Sequence, residues 1–136
     1  LPISSDFRKD YFMADQLEYV RNINIPETGF GYTLGLIGGK FKMPILYCLS
    51  LNNGPMRYNA IKRTLGTVSF KSLTNSLREL ERDGLISREI FDQVPPKVEY
   101  QLTGLGTSLI PVMDALCVWG ETHDSSQVNG VKCKID

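Results

Sequence analysis

The chain lacks most of what a catalyst or a disulfide-built domain requires. Its 136 residues hold a single histidine, His123, and no serine or cysteine stands beside a recognisable base, so nucleophilic and acid–base catalysis have no candidate constellation and no enzyme is expected. The three cysteines, Cys48, Cys117 and Cys133, are odd in number and share no C-x-x-C spacing. That pattern argues against a disulfide framework and a zinc site, predicts neither metal nor cofactor, and suits the reducing cytoplasm where we expect the protein to work. No apolar run approaches the roughly 20 residues of a membrane span, and the opening LPISSDFRKDY lacks a signal-peptide apolar region, so no membrane partner is expected. The chain starts at Leu1 rather than Met, as expected of a processed or trimmed end. Net charge is absent too: 15 Lys and Arg balance 15 Asp and Glu.

What is present is ordinary in amount and uneven in placement. Hydrophobic residues at 42% and charged residues at 22% fit one soluble domain with a real core and an appended helix, and exclude a disordered chain. From residue 28 to residue 78 there is no Asp or Glu, while Lys40, Lys42, Arg57, Lys62, Arg63, Lys71 and Arg78 all fall inside. The acids lie before and after. A neutral chain is thereby predicted to present a basic surface.

The most strongly patterned stretch is SFKSLTNSLRELERD, residues 69–83. Val68, Leu73, Leu77 and Leu80 recur at steps of five, four and three, which gathers them on one side of a helix. Lys71, Asn75, Arg78 and Arg82 then fall within about 40° of the opposite side. Ser69 is placed to cap the start and Gly84 to stop the helix in a left-handed conformation. Cations and an amide on such a face suit a DNA major groove, where Arg and Lys reach guanine edges or phosphates and Asn pairs with adenine.

The flanking segments give that helix a context. Residues 12–20, with Phe12, Leu17, Tyr19 and Val20, predict a short amphipathic helix that needs a partner surface, followed by a loop at Pro26, Gly29 and Gly31. Residues 32–51 predict buried helix, jointed at Gly38 and Gly39, with Pro44 inside the first turn of the second piece. Gly39 and Lys40 do not form a phosphate loop, because Leu34 and Phe41 stand where glycine and Ser/Thr are needed. After a turn at residues 52–55, Tyr58, Ile61 and Leu65 share one face of a short helix that ends at Gly66. Helix, tight turn and amphipathic second helix make a helix-turn-helix. LISREIF and KVEYQL alternate as two strands around a projecting proline loop, which makes a wing. From Thr103, a predicted cap, helical spacing returns with Leu105, Leu109, Val112, Met113, Leu116 and Trp119, and Pro111 is expected to kink it. Cys48 and Cys117 fall on apolar faces and are assigned to the core, and His123 to the surface. The predicted fold class is α+β and mainly helical, a winged helix-turn-helix with a two-stranded hairpin wing and added N- and C-terminal helices.

Five stretches carry a family resemblance: LIGGKF with PIL inside residues 36–46, GPMRYNAIKR at 54–63, SLTNSLRELERDGLISRE at 72–89, VPPKVEYQLTGLG at 94–106, and PVMDALCVWG at 111–120. Across roughly residues 28–122 the chain resembles the HxlR family of winged helix-turn-helix regulators, relatives of the MarR type. The resemblance implies a homodimeric regulator of transcription, most simply a repressor, on pseudo-palindromic double-stranded DNA, with room for a small-molecule effector. It places Ser69, Lys71, Thr74, Asn75 and Arg78 on the recognition helix, Gln93 and Lys97 on the wing, and Arg57 on a phosphate. Glu81 is expected in a local ion pair, Arg82 too far along to touch DNA, and Phe70 in packing. The implied dimer uses the N-terminal and last helices, with Phe12, Leu17, Val20, Leu109, Val112, Met113, Leu116 and Trp119 at the interface. The expected division is an arm and helix at 1–27, the winged domain at 28–122 and a polar tail at 123–136. Many relatives carry a Cys-Pro pair, a redox sensor in several, about nine residues before a GGKW motif. Here Glu27, Thr28 and Gly29 occupy that region and Phe41 replaces the Trp, so redox sensing is not carried over. A competing reading, a winged-helix protein-interaction module without DNA binding, is opposed by the basic residues kept on both helix and wing.

Overall fold

The computed structural model describes residues 13–124, with side chains from Leu17 onward; residues 1–12 of the predicted arm, Phe12 among them, and 125–136 of the predicted tail, Cys133 among them, lie outside the described residues. The chain divides into two compact units between residues 36 and 37.

The first unit is helical. α1 (Met13–Asn22) is followed by a 3-10 turn (Ile25–Glu27) and by α2 (Gly29–Ile37), whose last residue crosses the boundary. Thr28 makes the corner, its hydroxyl donating to the Ile25 carbonyl (2.7 Å) and accepting from the Gly31 amide (2.9 Å). Gly31 lies so close to the Ile25 carbonyl that a Cβ there would overlap it. Leu17, Tyr19 and Val20 are exposed on α1, and Phe30 and Tyr32 on α2.

The second unit holds the core. The break after α2 falls at Gly39, whose φ of 104° only glycine adopts readily, and α3 (Lys42–Asn52) follows with Pro44 in its first turn. Ile45, Leu46 and Leu49 of α3 are buried. Asn53 ends the helix in the left-handed region, and the Asn52 side-chain amide donates to the Gly54 carbonyl (2.9 Å) to set the turn. Then come β1 (Met56–Arg57), α4 (Tyr58–Leu65), α5 (Phe70–Arg82), β2 (Ile86–Phe91), β3 (Lys97–Leu102) and α6 (Gly104–His123). The two predicted strands gain a third: Met56 and Arg57 pair antiparallel with Tyr100 and Glu99, giving the order β1-β3-β2. Two residues are too short a run to show alternation, so only the pairing reveals the strand. In the hairpin, Ile86 opposes Leu102 and Phe91 opposes Lys97.

Val68, Leu73, Leu77 and Leu80 are all buried, against a core that includes Ile61, Leu85 and Ile86. Two polar links tie α3 to other helices. Tyr47 on α3 donates to Asp114 Oδ1 on α6 (3.0 Å), and burial, with help from Cys117 and Asp114, raises the phenol's pKa above its ordinary value. Lys42 Nζ meets Glu79 Oε1 at 2.9 Å and joins α3 to α5. Lys42 is buried, so this member of the acid-free segment belongs to the interior and not to the expected basic surface. Cys48 is buried with its sulfur 3.5 Å from Met56 Sδ, and burial pushes its thiol pKa up, as fits an inert core cysteine.

α6 runs as one continuous helix through Pro111 and carries two apolar stripes. Gly106, Ile110, Met113 and Cys117 form the inner one, with Gly106 and Met113 fully covered. Leu105, Val112, Leu116 and Trp119 form an outer one that is exposed, with Leu109 half-buried at its margin. Met113, at 0% exposure, has no surface to lend to an interface. It was grouped with the outer residues because the helix is apolar nearly all round, and spacing alone does not divide such a helix.

Two substitutions test this packing. Leu77→Ala empties a buried position and is expected to cost about 2–5 kcal/mol. Gly106→Ala would drive a Cβ into the Leu85 carbonyl oxygen and is expected to destabilise by about 1–3 kcal/mol, despite the better helix propensity of Ala. Gly120→Ala on the same helix meets nothing within 4 Å, so it should be neutral or gain up to about 1 kcal/mol. Denaturant melts of the three variants should show this order, and equal stabilities for the two glycine variants would contradict the α6 seating.

Candidate nucleic-acid interface

The helix-turn-helix is α4, the turn around Gly66 and α5. Gly66 has φ 80° and its amide donates to the Lys62 carbonyl (3.0 Å), while Val68 turns its side chain into the core. Ser69 Oγ accepts from the Ser72 amide (3.0 Å) and caps α5 as predicted. This ties the hydroxyl expected to meet DNA to the helix's own first turn. Tyr58 on α4 reaches the same turn, donating to the Phe70 carbonyl (3.1 Å) and standing 3.3 Å from Thr74 Oγ1. Its ring packs on Phe70 at 5.4 Å between centroids. Phe70 is 68% exposed, so it packs through one face only.

With the leucine stripe buried, Lys71, Asn75 and Arg78 are exposed along the opposite side. Among the described residues none of these three side chains makes a hydrogen bond or ion pair within the protein. Their polar groups are therefore free to exchange water for base edges or phosphates. Thr74 is half-buried and shares its hydroxyl with Tyr58. Arg82 is engaged by Asp83 at 3.2 Å, at the helix end away from the turn.

The hairpin treats its two predicted residues differently. Gln93 is exposed in the loop, where its backbone N–H donates to the Phe91 carbonyl (3.0 Å). Lys97 lies back over the Phe91 ring (4.3 Å to the centroid) and is 3.8 Å from Glu99 Oε2, so its charge is held along the wing rather than projected from its tip. Arg57 is exposed at the end of β1, where it opens α4 and opposes Glu99 in the sheet register. These residues come from α5, the hairpin and the edge strand β1, all within the second unit.

One cation escaped the sequence reading. Arg88, exposed on β2, has its Nε 3.5 Å from Glu81 Oε1 on α5, the local ion pair expected of Glu81. The two lie in a cleft of about 190 Å³ between α5 and the hairpin, lined also by Thr74, Leu77, Arg78 and Tyr100. Alternation along LISREIF marks which residues share a face, but not which helix the face looks at. The signal for Arg88 is its register opposite Tyr100, known once the hairpin is paired.

Comparison with known proteins agrees with this geometry. The HxlR-like helix-turn-helix family matches residues 36–128. The uncharacterized HTH-type transcriptional regulator BH0655 of Halalkalibacterium halodurans is 52% identical over 76% of this chain and 90% of its own length. The uncharacterized HTH-type transcriptional regulator YkvN of Bacillus subtilis is 50% identical over 68% of this chain and 76% of its own. Among solved structures, the HTH-type transcriptional regulator YtcD superposes with a TM-score of 0.66 at 45% identity, covering 71% of this chain and 96% of that one. The redox regulator HypR in its reduced form gives 0.66 at 40% identity, covering 72% and 95%. These relatives are regulators of transcription rather than enzymes, and this chain, with a winged helix-turn-helix and an exposed basic face on its second helix, belongs to the HxlR-like helix-turn-helix family of DNA-binding transcriptional regulators.

Proposed function

We propose that the protein is a homodimeric repressor that binds a pseudo-palindromic operator, with α5 in the major groove and the β2–β3 hairpin beside the adjoining minor groove. The observation that carries this reading is the row Lys71, Asn75 and Arg78, exposed and without protein partners among the described residues, opposite a fully buried stripe. A solvated charged face would serve solubility equally well, but this one lies on the second helix of a helix-turn-helix, beside a wing. Gln93 and Arg57 extend the contact to either side, and Ser69, Thr74 and Lys97 support it more through helix and wing geometry than by reaching out.

Two exposed apolar faces support a dimer. Val112, Leu116 and Trp119, the last 66% exposed, line α6, and Leu17 and Val20 lie exposed on α1. Rows of this kind on a monomer in water are costly, and a second copy covering them would bury an interface above about 2,000 Å² in total. A dimer would also hold two recognition helices roughly 34 Å apart, the spacing of successive major grooves. A protein so placed near a promoter acts most simply by occluding it, in the cytoplasm where transcription takes place.

Arg78→Ala and Lys71→Ala are expected to weaken operator binding by about 1–3 kcal/mol each while leaving the melting temperature unchanged. Affinity of the wild type should fall steeply with salt, as for the release of counterions from on the order of 6–10 phosphates per dimer. Anisotropy titrations across a salt series measure both, and unchanged binding by both variants would remove α5 from the groove. Val112→Asp with Leu116→Asp should give folded monomers that no longer bind a palindromic duplex. Light scattering that finds a dimer for this variant, or a monomer for the wild type at micromolar concentration, would rule out the α6 interface. Repression itself is checked by a promoter reporter, which should rise when the Arg78→Ala variant replaces the wild type.

A further inference from the structure

A recognition helix in one groove and a wing at the next leave a sugar-phosphate strand to pass between them. The cleft between α5 and the hairpin lies between those two elements. Its walls carry two guanidinium groups, Arg78 and Arg88, against one carboxylate, Glu81, together with the Tyr100 phenol and the Thr74 hydroxyl. Its volume of about 190 Å³ exceeds what one phosphate group fills. Arg88 is held at 3.5 Å by Glu81, and both side chains are about 40% exposed, so their ion pair is weak and exchanges readily for a stronger one. The Tyr100 hydroxyl makes no hydrogen bond among the described residues. Like any phenol it is a protonated donor at neutral pH, and burial, the leading cause, raises its pKa further.

We propose that this cleft seats a phosphodiester of the DNA strand separating the two grooves, with Arg88 as its principal cation, Tyr100 as a donor, and Glu81 as the group that holds Arg88 in position until DNA arrives. The proposal rests on the groove assignment above and adds a contact that carries charge but no sequence information. Arg88 forms a charge-assisted bond to a phosphate oxygen, which a carboxylate at 3.5 Å does not match. The role of Glu81 has a distinctive sign. A carboxylate in a phosphate seat repels the incoming anion, so removing its charge should tighten binding even though an ion pair is lost.

The test uses the full chain, a duplex selected by the wild-type protein from a random-sequence pool, and a random duplex of the same length. Arg88→Gln is expected to weaken binding several-fold on both duplexes alike, and to reduce the slope of log affinity against log salt by about one per protomer. Arg88→Lys should keep the slope, and Glu81→Gln should raise affinity several-fold on both duplexes. An unchanged slope for Arg88→Gln in a protein that melts like the wild type would overturn the proposal. So would weaker binding by Glu81→Gln, or a loss confined to the selected duplex, which would mark Arg88 as a base reader. Should Arg88→Gln fail to fold, the Arg88→Lys slope and the sign of the Glu81→Gln effect decide the matter. Absence of DNA binding by the wild type would defeat the groove assignment itself, an outcome separate from these.

Discussion

Leu73, Leu77 and Leu80 lose essentially all contact with water, and each contributes roughly 1.5–3 kcal/mol by that burial. Because the three project from one side of α5, their burial fixes the rotation of the helix about its own axis. A turn of one residue, about 100°, would lift leucines into water and press charged side chains into the core, at a cost close to the whole stability of a small domain. The outward direction of Lys71, Asn75 and Arg78 therefore follows from packing on the far side. The cap at Ser69 and the contacts of Tyr58 with the Phe70 carbonyl and Thr74 fix the remaining freedom, the position of the first turn against α4.

The elements whose cause is local were legible in the sequence. α5 has a clean 3.6-residue pattern with a capping serine before it and a glycine after it, and the joint at Gly38 and Gly39 and the cap at Thr103 are equally local signals. What escaped was set by partners distant in the chain. β1 exists because two residues pair with β3, more than forty positions later. Met113 is separated from Leu116 only by burial in the folded core, since a helix apolar on two sides offers no internal clue to which side faces inward. At the interface, residue identity was readable from the face of α5, whereas engagement was not: that Thr74 shares its hydroxyl with Tyr58, and that Lys97 is held by Phe91 and Glu99, depends on geometry.

Six cations among the described residues stand in three physical states. Lys42 is covered and bonded to Glu79, where it joins α3 to α5. Arg82, Arg88 and Lys97 are exposed or half-buried, each with a carboxylate within 4.0 Å. Lys71 and Arg78 face water without such a partner among the described residues. A count of charges from residue 28 to 78 treats all basic residues alike: it includes the internal Lys42 and leaves out Arg88, which lies beyond the segment. Zero net charge is thus compatible with a basic reading face, because many of the acids are placed elsewhere or already engaged.

The base of the wing is tied to the start of α6 at one corner. Thr103 donates through its amide to the Leu85 carbonyl (3.1 Å) and through its hydroxyl to the Gly84 carbonyl (2.6 Å), and that hydroxyl accepts from the Gly106 amide (3.1 Å). Gly106 lies against the Leu85 carbonyl with no space for a side chain, and the Leu85 amide in turn donates to Leu80 at the end of α5 (3.0 Å). The corner has little slack, so α6 is a lever with a stiff fulcrum. At about 1.5 Å per residue its 20 residues span about 30 Å, and a tilt of about 10° at its far end displaces that end by about 5 Å. A corner this tight passes such a tilt on to the root of the hairpin and the tail of α5, so whatever grips the outer stripe of α6 also bears on the angle between α5 and the hairpin.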